Sequence, residues 1–522
     1  MKSYYSHLSS RLEFGEKLEI SRKPILRSSA IFPVFKNKST SSRILFMGYW
    51  LIKRNIPEVH ILITLRLENG NILYRQSKII SSVQAFSIEL DFLLNEISYI
   101  DDNFVGSIEI EFQTTRDMVF PYPALVLEYF GKNFNTCVHT TQRIYNDFDD
   151  LNDNEQFSVP ESGFDIYCDG QLEPFLAFVN GPLLNNSGKL VYEITNHKSE
   201  KFSGEFKIGK ILPYETKFIK FSNYIVNLDK ILDNTSGTIS IKHNFEGFYP
   251  RFLVGNFQSN FPSVSFTHSY YDCTDCDDES DYWNRIDSNL YDSSVYVPLF
   301  LKDDFYTNLI IYPNFSKSEF DISLLFYNNF GKQISKIENF LHINSIDSKL
   351  IKLNFNEIIK NNDMGFPSTV HVITNFSNKI PSRIKFGLDV GIINSESKLP
   401  CNICFNAHVG NPAIITKPGS FHWAPILKNK PLISIGNFST QKNYEQNASL
   451  EIKFFREHDS EYICREENLE PNAELRFSID EEIKNFLGKE HGWITVKSNN
   501  PFVQGFYFDF HSTGSVAGDH FF

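Results

Sequence analysis

The side chains best equipped to hold a ligand crowd into one stretch of this 522-residue chain. Arg251 follows Tyr249-Pro250, and His268, Tyr270, Tyr271 and Asp272 come soon after. An acidic run, Asp277-Asp278-Glu279-Ser280-Asp281, then leads to Trp283. Flat aromatic faces beside carboxylate and imidazole hydrogen-bonding groups are the equipment of sugar sites. The planar fork of Arg251 suits a carboxylate or a phosphate. The expectation is a site for a carbohydrate or another small polar ligand, built from Arg251, His268, Tyr270, Tyr271, Asp272 and Trp283. Two readings compete with it: acid/base chemistry by His268 and Asp272, or a solvated acidic loop whose tyrosines cover a sheet edge.

Four of the seven cysteines form two Cys-x-x-Cys pairs, Cys273/Cys276 and Cys401/Cys404. That spacing is the half-site of a tetrahedral zinc centre. The halves lie 125 residues apart, from 276 to 401, far beyond the ~15–20 of a zinc ribbon. They could share one ion only if distant segments adjoin, so buried or idle thiols are the first expectation and zinc the alternative. Neither pair precedes an evident helix, whose start would stabilise a redox thiolate. Four histidines, His139, His268, His408 and His520, fall at similar places in the pattern described below. Half-buried imidazoles donating to a nearby carbonyl are expected there, and a ring of imidazoles around a metal is the alternative.

Phosphate loops, dinucleotide fingerprints, His-Glu-x-x-His and the Gly-x-Ser-x-Gly elbow are all missing. Asp509, His511 and Ser512 cluster in sequence, but nothing in their spacing orients the imidazole towards a nucleophile. A net charge of −13 opposes nucleic-acid binding, which needs a basic face, and opposes adhesion to anionic membranes. No apolar run approaches the ~18–20 residues of a membrane helix. Met1 to Lys23 lacks a signal-peptide core, and the cysteines are too sparse for a secreted scaffold, so a soluble cytoplasmic protein is expected.

The elements that must position these residues come in fours. Short strands at Ile44–Phe46, Leu176–Asn180, Leu309–Ile311 and Leu432–Ile435 each lead into a second strand, then into one of alternating apolar and polar residues such as Lys217-Phe218-Ile219-Lys220-Phe221. Period-two alternation marks a strand with one dry and one wet face. A helical turn follows each time, clearest from Asp480 to Gly488, where Asp480 can cap and Gly488 can end it. The next strand places Ile108, Ile239, Val370 and Ile494 at intervals of 131, 131 and 124 residues. Five to seven strands per unit and no long helix predict antiparallel sandwiches. The Asn-Phe-Ser triplets at Asn314 and Asn437 are expected to end strands as Asx turns.

Within the last unit, Pro431 to Asn437, Leu450 to Phe455 and Val496 to Gly505 resemble the small β-sandwich of the sensory rhodopsin transducer family. Asn499 stands where that family has Asp, and its His-Thr-Arg continuation after Gln504 is absent. The resemblance covers about 90 residues. It implies a compact sandwich that assembles in fours and binds small ligands; no functional residue is carried over. The expected organisation is all-β: an extension over 1–30, then four tandem sandwiches over 31–150, 151–290, 291–415 and 416–522, packed as one pseudo-symmetric body. The expected function is non-catalytic binding or scaffolding, with no required cofactor. The alternatives are an enzyme of cell-surface glycan or sugar-nucleotide metabolism and a capsid- or coat-like assembly subunit.

Overall fold

The computed structural model describes residues 24–139, 142–144, 161–249, 251–269, 282–285, 287–314, 316–347, 349–381 and 384–522. The fold is all-β, and its main sheets are antiparallel with four or five strands each. Among the described residues no helix exceeds seven residues, and none is long and apolar enough to cross a membrane.

One pattern of eight strands occurs four times. In the second sandwich, one sheet runs Glu161–Tyr167, Ser236–His243, Asn185–Asn196, Lys201–Ile211, and the other runs Thr216–Lys220, Leu172–Val179, Leu253–Gln258, Ser263–His268. Counted along the chain, the strand order is therefore one-six-three-four in one sheet and five-two-seven-eight in the other. The strands from Arg27 to His139, from Ser293 to Asn406 and from Ser420 to His520 follow the same order. The third sandwich adds His408–Val409 beside its first strand. Phe164 and Leu190 from one sheet share a core with Leu176, Ile219 and Val254 from the other, which makes the second pair of sheets a sandwich.

Between the fifth and sixth strands lies a short helix, as the sequence predicts. In Glu481–Leu487 the Asp480 carboxylate accepts from the Ile483 N–H at 3.1 Å, and Gly488 ends the helix with φ +63°. That hydrogen bond, followed by the Arg465 guanidinium, holds the Asp480 carboxyl below its usual range. Alternation does not mark out two strands of each sandwich. The first strand, such as Arg27–Lys36, is buried almost throughout and so shows no wet face. It lies at a sheet edge, where Pro33 costs no ladder bond. The fourth, such as Ile72–Ile80, is the opposite edge and is mostly exposed.

Alternation also misplaces one face. Glu109, between Ile108 and Ile110, reads as wet, yet it is buried and bonded to Arg66 Nη2 at 2.9 Å. Arg66 in turn lies under the Tyr214 ring of the second sandwich, 4.1 Å away, so a neighbour covers this face. Burial, reinforced by Glu111, pushes the Glu109 carboxyl up against the pull of Arg66.

Three strand-ending asparagines do a common job. Asn180 Nδ2 donates to the Leu183 and Leu212 carbonyls at 2.9 Å, Asn314 Nδ2 to Ser318 and Asn344 at 2.8 Å, and Asn437 Nδ2 to Gln446 at 2.9 Å and Glu470 at 3.1 Å. Each joins the loop after its own strand to the end of the fourth strand, satisfying carbonyls that sheet pairing leaves over. Asn314 Oδ1 also accepts from the Ser316 N–H at 3.2 Å, the expected Asx turn. At Asn437 the oxygen is instead occupied by Tyr444 and Asn500, so this residue is a buried clasp.

The chain forms two compact units. The first runs to residue 273 except for 84–86 and 133–136, which group with 274–522 in the second. Each contains two sandwiches that meet in the same way. In the first unit, Gly70 turns the chain between the third and fourth strands against the Pro213 carbonyl, and Thr216 N–H donates to Glu68 O at 2.8 Å. In the second unit, Gly331 does so against the Pro471 carbonyl, and Glu474 N–H donates to Asn329 O at 3.1 Å. Gly331 has φ +80°, and a Cβ there would lie 2.2 Å from the Pro471 oxygen. Gly331→Ala should therefore cost the second unit about 2–3 kcal/mol. Gly170→Ala, at φ +82° with nothing within 4 Å, bears only the strain and should cost its unit about 1 kcal/mol. Urea unfolding of the two variants checks the difference.

Candidate functional site

Arg251 and His268 belong to the first unit and lie in direct contact. Strand pairing of Leu253–Gln258 with Ser263–His268 places Leu253 opposite His268, which brings Arg251 back to the imidazole. Arg251 Nη2 donates to His268 Nε2 at 2.6 Å and to His139 Nε2 at 3.2 Å. The two rings stand edge to face, 4.9 Å apart. His268 Nδ1 donates to the Ser269 carbonyl at 3.0 Å, fixing the tautomer whose Nε2 lone pair meets Arg251. Both nitrogens of this ring are thus engaged. A carbonyl contact of the same kind occurs at His520, whose Nδ1 lies 2.8 Å from the Phe521 oxygen. His408 pairs with Ser294 across a short ladder and is exposed.

Tyr270, Tyr271, Asp272, Cys273 and Cys276 lie outside the described residues. Trp283 belongs to the second unit, in a two-residue strand paired with Ile380–Pro381. Cys401 and Cys404 are buried in the strand Cys401–Asn406. Its ladder with Lys385–Ile392 is unbroken, so positions three apart face opposite sides. Such a strand does not aim both thiols at one ion. Burial pushes the Cys401 thiol up, away from the thiolate that would bind metal. Asp509 and His511 also work separately. Asp509 accepts from Asn429, and His511 Nδ1 lies 2.9 Å from the Thr513 hydroxyl.

A different group of residues forms a cleft of about 400 Å³ in the second unit, within the range of small-molecule sites. The third sandwich supplies most of it through three loops: those after its first and third strands and the one after its helix. The fourth sandwich closes one side with Leu432 and Arg476. Phe300, Phe305 and Phe366 give the cleft its apolar surface, and Phe366 is 75% exposed. Lys302, Asp303 and Asn329 are exposed at its rim. Asp303 and Asp304 both have positive φ, 54° and 65°, a conformation Asp tolerates better than most residues. Among the described residues the side chains of Lys302, Asp303 and Asn329 make no hydrogen bond or ion pair. Asn328 beside them is committed: its Oδ1 accepts from Phe330 and Lys332 N–H at 3.0 Å and shapes the turn.

Arg476 is also fully committed. Its guanidinium donates to the Glu474 carboxylate, to Leu299 O and to Ser368 O, the last two at 2.9 Å, and lies 4.7 Å from the Phe300 ring centre. No sequence signal points to this cleft, because its residues come from three loops and three strands spread over more than 170 positions, from Leu299 to Arg476. A second cavity, about 520 Å³, lies in the first unit beside Glu173 and Val226. It has no aromatic lining, and Glu173 is already held by Lys220 at 2.8 Å and by Ser222.

Neither the protein-family models nor the curated proteins searched match this chain.

Proposed function

We propose that this is a non-catalytic binding and scaffolding protein, made of four copies of one eight-stranded sandwich and taking a carbohydrate or another small polar ligand. The recurrence of one strand order supports the four-copy reading. So do equivalent contacts: Phe35 meets Phe218 and Phe257 in the first unit, and Phe300 meets Phe508 and Arg476 in the second. Boundaries near residues 150, 290 and 415 fit the strand pattern. Free cysteines at 168, 401 and 464 fit a reducing, cytoplasmic setting.

The binding reading is carried by the cleft of the second unit, where an exposed aromatic ring stands beside three polar side chains that the fold does not use. The acid/base alternative is disfavoured by His268, whose two nitrogens are occupied by Arg251 and Ser269. A thermal-shift screen of sugars, amino acids and nucleosides tests the reading. A ligand at a hundred times its Kd stabilises by about 2.7 kcal/mol. Phe366→Ala should cut that shift to about half while leaving the melting temperature of the free protein unchanged, since the ring is mostly exposed. A panel without any shift, or a shift insensitive to Phe366→Ala, would reject the reading.

A further inference from the structure

We infer that the ligand of this cleft is a neutral saccharide, an inference that rests on the cleft being the binding site. The argument begins with charge. Lys302 and Asp303 contribute one cation and one anion to the rim, and Asn329 contributes a neutral amide. Arg476 adds no free positive charge, because Glu474 neutralises it and two backbone carbonyls take further N–H groups. A phosphate or carboxylate ligand would meet the Asp303 carboxylate with only Lys302 to oppose it. A cationic ligand would meet Lys302. Hydroxyl groups suit both at once, since each can accept from Lys302 or Asn329 and donate to Asp303.

The aromatic surface points the same way. Phe300 is buried and its face is covered by the Arg476 guanidinium, so it cannot clamp a flat base from a second side. Of the three rings lining the cleft, Phe366 alone is exposed. One aromatic platform with a polar rim matches a sugar ring, which has an apolar C–H face and a hydroxylated edge. The cleft's volume of about 400 Å³ suits a mono- or disaccharide better than a long chain.

Titration calorimetry on the full chain tests this with glucose, galactose, mannose, N-acetylglucosamine and maltose, and with glucuronate and glucose 6-phosphate as anionic counterparts. At least one neutral sugar is expected to bind. Phe366→Ala should weaken it roughly tenfold, and Asp303→Asn or Asn329→Ala several-fold. Val226→Ala, in the cavity of the first unit, should leave it unchanged. Tighter binding of an anionic counterpart than of its neutral parent would overturn the inference. So would neutral-sugar binding that Phe366→Ala does not weaken. If sugars fail but an amino acid or nucleoside binds and loses affinity in Phe366→Ala, the saccharide assignment falls and the binding reading stands. If no probe of either kind binds, both fall.

Discussion

Arg476→Met is expected to cost the second unit about 3–5 kcal/mol, a large part of the 5–15 kcal/mol that holds a typical domain together. The cause is the carboxylate left behind. Glu474 has a side chain only 1% exposed. It accepts from Arg476 Nη2 at 2.7 Å, Arg476 Nε at 2.9 Å, Ser434 Oγ at 2.6 Å and Tyr296 Oη at 3.1 Å. Tyr296 comes from the first strand of the third sandwich, and the other three come from the fourth. The Tyr296 phenol is raised well above its usual range, first by burial and next by Glu474, so it stays a donor at any physiological pH. Removing the guanidinium leaves a buried negative charge with two neutral hydroxyl donors, and also uncovers the Leu299 and Ser368 carbonyls. The double variant Arg476→Met with Glu474→Leu removes both charges and should recover most of the loss, since an apolar pair of similar size often matches a buried ion pair. Urea unfolding followed by fluorescence, to which the fully buried Trp493 of this unit contributes, gives both numbers. A single variant losing less than about 1 kcal/mol would show that water or relaxation compensates the carboxylate, and would remove the network from the account of how these two sandwiches are joined.

The same network marks how far sequence reading reaches here. The alternation of Lys217-Phe218-Ile219-Lys220-Phe221 and of Leu475-Arg476-Phe477-Ser478-Ile479 identifies the fifth strands, and the caps of Glu481–Leu487 fix its helix almost to the residue. Those are local signals, governed by residues a few positions apart. Which polar residues are buried is not local. Glu109 and Glu474 read as wet because their sequence neighbours are apolar, yet each is covered by another sandwich that contributes Tyr214 or Tyr296. The cleft is hidden for the same reason: Asn329 and Phe366 sit in ordinary turn sequences, and only their shared end of the third sandwich brings them together. Composition drew attention to the loop after His268, where Tyr, Trp and Asp concentrate. In the described part of that region, Arg251 and His268 satisfy each other.

Acidification from pH 6.5 to pH 3 is expected to remove about 4 kcal/mol from the second unit through one residue, His371. This imidazole lies in the strand Thr369–Phe376, opposite Tyr296 and Leu325, and is 2% exposed. Its buried Nε2 has no hydrogen-bond partner among the described residues, and the Phe438 ring centre lies 5.3 Å from the imidazole centre. Burial, with a smaller contribution from the nearby His408, lowers its pKa to about 3. Tyr291 is the other titratable ring facing it, at 6.4 Å, and is neutral throughout this range because burial raises its phenol. In the unfolded chain the same imidazole titrates near ~6.5. Between those two values the unfolded state holds a proton that the folded state rejects, so stability is whole above pH ~6.5 and falls by about 1.4 kcal/mol per unit as pH drops towards 3. Carboxylates with lowered pKa, such as Asp480 and Asp459, lose their contribution only below pH ~4, which leaves pH 6.5 to 4.5 to the histidines. Burial raises the Glu457 carboxyl, so acidification there works in the opposite direction, and it must be subtracted by comparison with a variant. His371→Leu supplies that comparison: it should match the parent at pH 7 within about 1 kcal/mol and lose most of the slope between pH 6.5 and 4.5. Parallel pH profiles for the two proteins would mean that the imidazole accepts its proton in place, and that the strand opens to water more readily than its burial implies.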